Sequence, residues 1–252
     1  MVSVGLARGA TVAAARGAVV AAARGTTAAA GRLLDLALPA VCAGCEREGP
    51  PLCPECLGAL DLRLATRPGV PIGLPGELPA PLVQIEWCTS FTGVTRRALH
   101  RLKYAGDRRL AEPLGRAVAR RWARSGAGGD LLVPVPASRD RVRERGYDQA
   151  ALIARAAGAA LGLPVRDDLL ERHWITAAQF DLDRAARAGN VAGAFRLRRG
   201  ARLPAGSGPH GEPWIVLVDD VLTTGSTLAA CATTLLRAGA LAVSAVTVAR
   251  ER

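Results

Sequence analysis

Two adjacent carboxylates, Asp219 and Asp220, follow the apolar run at 215–218, and a hydroxyl- and glycine-rich stretch, Thr223-Thr224-Gly225-Ser226-Thr227, comes directly after them. Carboxylates accept hydrogen bonds from vicinal hydroxyls. Hydroxyls beside the free amides and positive dipole end of an opening helix make an anion site. Together they suit a ligand that carries both a phosphate and a vicinal diol. A Walker-type nucleotide loop would need Gly-Lys-Ser/Thr, and Lys103 is the only lysine in the chain. The plain alternative is a strand–helix unit whose hydroxyls only cap the helix.

The cysteines form a second set. Cys42-x-x-Cys45 and Cys53-x-x-Cys56 can each point two thiolates at one ion, and four thiolates complete a tetrahedron around Zn²⁺ with no open position for catalysis. Disulfides are the alternative, but nothing in the sequence directs the chain to an oxidising compartment. A redox role would need only one of the pairs. The segment is too short to bury a core, so the metal would supply its folding energy. Cys88 and Cys231 stand in apolar contexts and read as packed thiols.

A third cluster is basic. After the apolar run at 131–135 come Ser138, Arg139, Asp140, Arg141, Arg143 and Arg145, read as a strand-to-helix loop whose guanidinium forks suit a pyrophosphate group. A solvated arginine run fits equally well. Lys103, near the end of a helix, could meet a phosphate or the last carbonyls of that helix.

The elements that must position these residues alternate. Strands are predicted at 83–91, 131–135, near 169, at 195–197, 214–218 and 242–249. Helices are predicted at 94–104, 110–123, 149–161 and 228–236, with a short one at 33–37. This alternation predicts an α/β fold with a parallel sheet, which binds ligands beyond the carboxyl ends of its strands. Residues 1–31 read as a low-complexity tail, 32–64 as a double zinc-knuckle module, 65–81 as a Pro/Gly linker and 82–252 as the main domain. At 252 residues and formal charge +11, the chain is large enough for this plan and attracts anions. No basic stripe interleaved with aromatics forms a nucleic-acid stacking platform. Arginines break every apolar stretch of the tail, so neither a signal peptide nor a membrane span is predicted, and a cytoplasmic location is expected.

The order of these motifs resembles the ComF family of competence-associated, phosphoribosyltransferase-like proteins. The resemblance covers about residues 32–250 and rests on the two CxxC pairs, Leu102-Lys103-Tyr104, Pro134-Val135-Pro136, Arg145-Gly146-Tyr147-Asp148-Gln149, residues 179–187, 190–195 and Asp-Asp-Val-Leu-Thr-Thr-Gly-Ser-Thr at 219–227. It implies the type I phosphoribosyltransferase fold and binding of phosphoribosyl pyrophosphate (PRPP) with Mg²⁺. The 5-phosphate would lie on Thr223, Thr224, Gly225, Ser226 and Thr227. The diol would lie on Asp219 and Asp220, and the pyrophosphate near Ser138, Arg139, Arg145 and Lys103. Residues around Gln179 and Arg187 would form a lid, with Arg187 as a catalytic residue. The family name points to DNA uptake, with single-stranded DNA or the uptake machinery as partner. A transferase and a non-catalytic zinc-containing binding module both fit. The family pattern has Asn where this chain has Asp148, which an ionised carboxylate cannot match as a donor.

Overall fold

The computed structural model describes residues 41–67, 79–125, 128–173 and 193–251. The tail, the helix predicted at 33–37, most of the linker and Gln179, Arg187 and Asn190 lie outside the described residues.

Four short apolar runs make one parallel sheet in the order β1 (Gln84–Ser90), β6 (Ala242–Arg250), β5 (Trp214–Leu222), β2 (Leu131–Pro134). Every residue of β2 and the interior of β6 are buried, as expected of strands covered on both faces. The alternation along β5 divides the core. Val216 and Val218 join a cluster on one face with helices α2 (Gly93–Tyr104), α3 (Ala111–Ser125) and α5 (Gln149–Leu161). Ile215 and Leu217 join a cluster on the other face with α6 (Ser226–Arg237) and the antiparallel pair β3 (Leu170–Arg172) and β4 (Phe195–Leu197).

β5 runs past the predicted end at Val218. Asp219 pairs with Thr247, and Val221 and Leu222 pair with Ala249 and Arg250. The polar acids end the apolar run in sequence, but the long neighbour β6 continues the ladder. The segment after β2 also differs from expectation, because Arg139–Arg145 is a helix, α4. Ser138 caps it by accepting from the Arg141 amide, and Gly146 closes it in the left-handed conformation at φ 76°, the usual start and stop signals.

The cysteine segment carries a short helix, α1 (Pro54–Leu57), and packs on α2. Cys42, Ala43, Leu52, Cys56 and Leu60 share one apolar cluster with Ala98, Leu99 and Leu102. Arg97 donates to the Gly44 carbonyl at 2.5 Å and Arg101 to that of Val41 at 3.4 Å. Gly44 has to be glycine, since a Cβ there would lie 2.4 Å from Cys56 Sγ. The chain leaving the module is fastened by Arg121, which is wholly buried. Its Nε and Nη2 bond Glu86 Oε2 at 2.8 and 2.5 Å, and its Nη1 bonds the carbonyls of Arg63 and Thr66. A buried guanidinium is tolerated only when its donors are satisfied in this way. Among the described residues no helix is long and apolar enough to cross a membrane.

Candidate functional site

The four cysteine sulfurs lie within 4.8 Å of one another, and all are free thiols. Zn–S bonds of about 2.3 Å in a tetrahedron put sulfurs about 3.8 Å apart. Cys45 and Cys53 are at 3.7 Å, so the donor set fits a closed, structural Zn²⁺ site. Burial raises the Cys42 thiol, but amides of Cys53, Cys45 and Gly44 outweigh it and bring the group down to about 6. Burial and the three neighbouring sulfurs push Cys56 up to about 12. The backbone thus favours one thiolate, and the crowding of the others is the repulsion that a cation would relieve. Cys88 and Cys231 are buried core thiols, as expected.

The second constellation lies at the carboxyl end of β5. Asp220, only 6% exposed, receives Lys103 Nζ at 2.9 Å and Gln149 Nε2 at 3.0 Å on the same oxygen, Oδ2. Lys103 comes from the last turn of α2 and Gln149 from the first residue of α5. Arg145 extends the array, donating from Nη1 to Gln149 Oε1 at 2.8 Å, with its guanidinium 5.1 Å from the Tyr104 ring centroid. Arg145 Nε is buried without a hydrogen-bond partner, an uncommon state for a polar atom. Lys103, Arg145 and Asp220 are therefore gathered, and Lys103 serves the carboxylate rather than its helix's carbonyls.

Asp219 behaves differently. It accepts from the Asp220 amide at 2.8 Å and has no ion pair among the described residues. Burial first, then the Asp220 charge, push its carboxyl well above the usual range, against the opposing pull of that amide and of Lys103. Of the two acids, Asp220 is already held and Asp219 is the one left for a ligand.

The loop beyond is open. Thr223 and Thr224 are exposed, and Thr224 Oγ1 lies 3.0 Å from Ser226 Oγ. Gly225, at φ 80°, occupies the N-cap of α6 and supplies no side-chain acceptor; the Ser226 amide donates instead to Thr224 Oγ1 at 3.4 Å. Any Cβ there would also meet Pro79 at 2.7 Å. Ser226 and Thr227 open the helix itself.

Two residues of the expected pyrophosphate cluster are placed elsewhere. Ser138 is used as the cap of α4, and Arg139 turns to Glu171 of β3 at 3.3 Å. Asp148, whose acceptor-only chemistry looked unfavourable, suits its position. One oxygen accepts from the amides of Ala150 and Ala151 and the other from that of Ala137 at 2.8 Å. Burial pushes its carboxyl up, although these three amides oppose the shift. Asp148 thereby fastens the loop after β2 to the start of α5, where Gln149 meets Asp220. Sequence reasoning missed Gln149 as a site residue; its signal was a helix-opening glutamine directly after an N-cap aspartate.

A parallel sheet whose interior strand β5 carries an acidic pair near its carboxyl end, followed by a hydroxyl-rich turn and a helix, defines a parallel α/β fold, here with an N-terminal four-cysteine module. The chain is 33% identical over 209 residues to DNA utilization protein YhgH of Salmonella typhimurium, covering 81% of this chain and 86% of that protein. It is 32% identical over the same length to the Escherichia coli K12 protein of that name. Competence protein F of Haemophilus influenzae is 33% identical over 99 residues, 39% of this chain and 41% of that one. The chain belongs to the ComF family. No family model matches. A solved structure of the allosteric regulatory enzyme of purine biosynthesis and one of the Bacillus subtilis glutamine PRPP amidotransferase with ADP and GMP are each 22% identical over 55% of this chain. The chain spans 25% and 26% of their lengths, and TM-scores of 0.36 and 0.37 are too low for that likeness to decide anything here.

Proposed function

We propose that the chain binds PRPP together with Mg²⁺ at the carboxyl end of β5, and that it acts in DNA uptake or in nucleotide or DNA metabolism. The observation that supports this most is the convergence of Lys103 and Gln149 on Asp220, while the neighbouring Asp219 has no ion pair among the described residues and stands just before the start of α6. Asp219 would accept the ribose hydroxyls, with Asp220 held as its rigid neighbour. The residues 223–227 would receive the 5-phosphate. The acids fit a hard cation, and Mg²⁺, which keeps several waters and bridges phosphates, would supply charge neutralisation there. Arg145, with its orphaned Nε, and Lys103 are the donors proposed for the pyrophosphate side, and Arg187 for a covering segment; Ser138 and Arg139 would have to leave their present partners to join them.

In a transfer reaction, a nucleophile's electron pair would form a bond to the anomeric carbon. The bond from that carbon to the pyrophosphate oxygen would break, and the pair would leave with pyrophosphate. The protein's part would be positioning and leaving-group stabilisation. The test is a pyrophosphate-release screen with PRPP, Mg²⁺ and a panel of bases and nucleosides. Release with one acceptor supports a transferase, and PRPP binding without release supports a sensing role.

The names of the relatives favour a second reading, a zinc-containing module that contacts single-stranded DNA or the uptake machinery and uses the PRPP site for sensing. Strand binding through phosphates would weaken steeply with added salt.

A further inference from the structure

A cavity lies beside the loop after β2, lined by Pro136 and Ala137 among others. Its volume is about 640 Å³, and neither the acidic pair nor residues 223–227 line it. That size is within the range of small-molecule sites, roughly 300–1,000 Å³. Six arginines and three carboxylates line it, and the carboxylates are all committed. Asp148 accepts backbone amides, Asp167 holds Arg155, and Glu171 holds Arg139 and Arg196.

Arg108, Arg172 and Arg198 make no ion pair within 4 Å among the described residues, although the charge of Arg198 is felt by Asp168. Arg108 lies over the Tyr147 ring at 4.5 Å, Arg172 over Phe195 at 5.5 Å, and Arg198 Nε donates to the Leu170 carbonyl at 3.2 Å. Guanidinium groups held in place with donors to spare are suited to phosphate oxygens. Val142, Tyr147, Ala151 and Leu152 add apolar surface to the lining, which suits a flat base.

We infer that this cavity binds a free nucleotide, with its phosphates on Arg108, Arg172 and Arg198 and its base against the apolar lining. A nucleic-acid strand is the alternative that the test below separates. The inference does not depend on the sugar-phosphate reading, since the two sites share no lining residue among those named for PRPP except Arg139.

The test titrates a fluorescent N-methylanthraniloyl ADP into the full chain, with and without excess PRPP, and into the combined Arg108→Gln, Arg172→Gln, Arg198→Gln variant. The expected result is one nucleotide per chain, unaffected by PRPP. The triple variant should lose at least about tenfold in affinity, the scale of hydrogen bonds to charged groups, while melting as the wild type does. If the triple variant fails to fold, Arg198→Gln alone is expected to weaken binding several-fold. Displacement of the nucleotide by PRPP, unchanged affinity in the variants, or no binding at millimolar ADP would each overturn the inference. So would displacement by a short oligothymidylate whose binding falls steeply with salt, which would make the cavity a strand groove.

Discussion

The cysteine module gathers all its ligating atoms from one short segment, Cys42 to Cys56, whereas the groups around Asp220 arrive from α2, α5 and β5. The first arrangement is set by local turns that bring four sulfurs within reach of one ion. The second exists only when the sheet and two helices are docked. Yet the two are joined through α2. The module grips that helix through Arg97 and Arg101, and the same helix delivers Lys103 to Asp220. A local four-cysteine unit, placed to hold a metal ion, thus steadies one wall of a constellation assembled from distant parts of the chain.

Metal removal is the strongest way to break this comparison. Exhaustive chelation, or Cys45→Ser with Cys53→Ser, is expected to lower the melting temperature by more than about 10 °C, given that structural zinc supplies folding energy outright. Metal analysis should find one zinc per untreated chain. If the module were independent of the site, PRPP affinity would survive in the chelated protein at low temperature; a loss is expected instead.

Lys103→Ala comes next. It leaves the Asp220 carboxylate buried without its cation, at a cost of about 2–3 kcal/mol by denaturant unfolding, and PRPP affinity should fall with it. Gln149→Leu removes one hydrogen bond to the same oxygen and is expected to cost about 1–2 kcal/mol. Equal costs for the two variants would mean that Lys103 adds nothing beyond a hydrogen bond.

The smallest expected effect has the opposite sign. Asp219 has a folded-state pKa above its unfolded one. Its ionisation penalty is therefore absent below the ordinary carboxylate range and grows as pH rises through that range toward the folded value. Asp219→Asn should raise the melting temperature by about 3 °C at pH 8 and by less at pH 4. An equal shift at both pH values would mean that Asp219 is not strained by its surroundings.

What could be read in the sequence follows the same division. The two CxxC pairs and the run from Asp219 to Thr227 were visible because neighbours in sequence are neighbours in space. The contact between Gln149 and Asp220 spans 71 positions, and no local pattern encodes it. Helix α4 was read as a loop because it has no buried residues and so no apolar period, although Ser138 and Gly146 mark its ends. β5 was cut short at Val218 because two acids interrupt its apolar run, although the ladder to β6 continues through Val221 and Leu222. Asp148 was misjudged because its environment, three amides and no acceptor, is a tertiary fact.

Isothermal titration of PRPP with Mg²⁺ into the wild type and into Asp219→Ala with Asp220→Ala bears on the sugar-phosphate assignment most directly. Saturable binding to the wild type, one PRPP per chain, and none to the double variant, folded by circular dichroism, is the expected result. Equal binding to both proteins would contradict the assignment of this site.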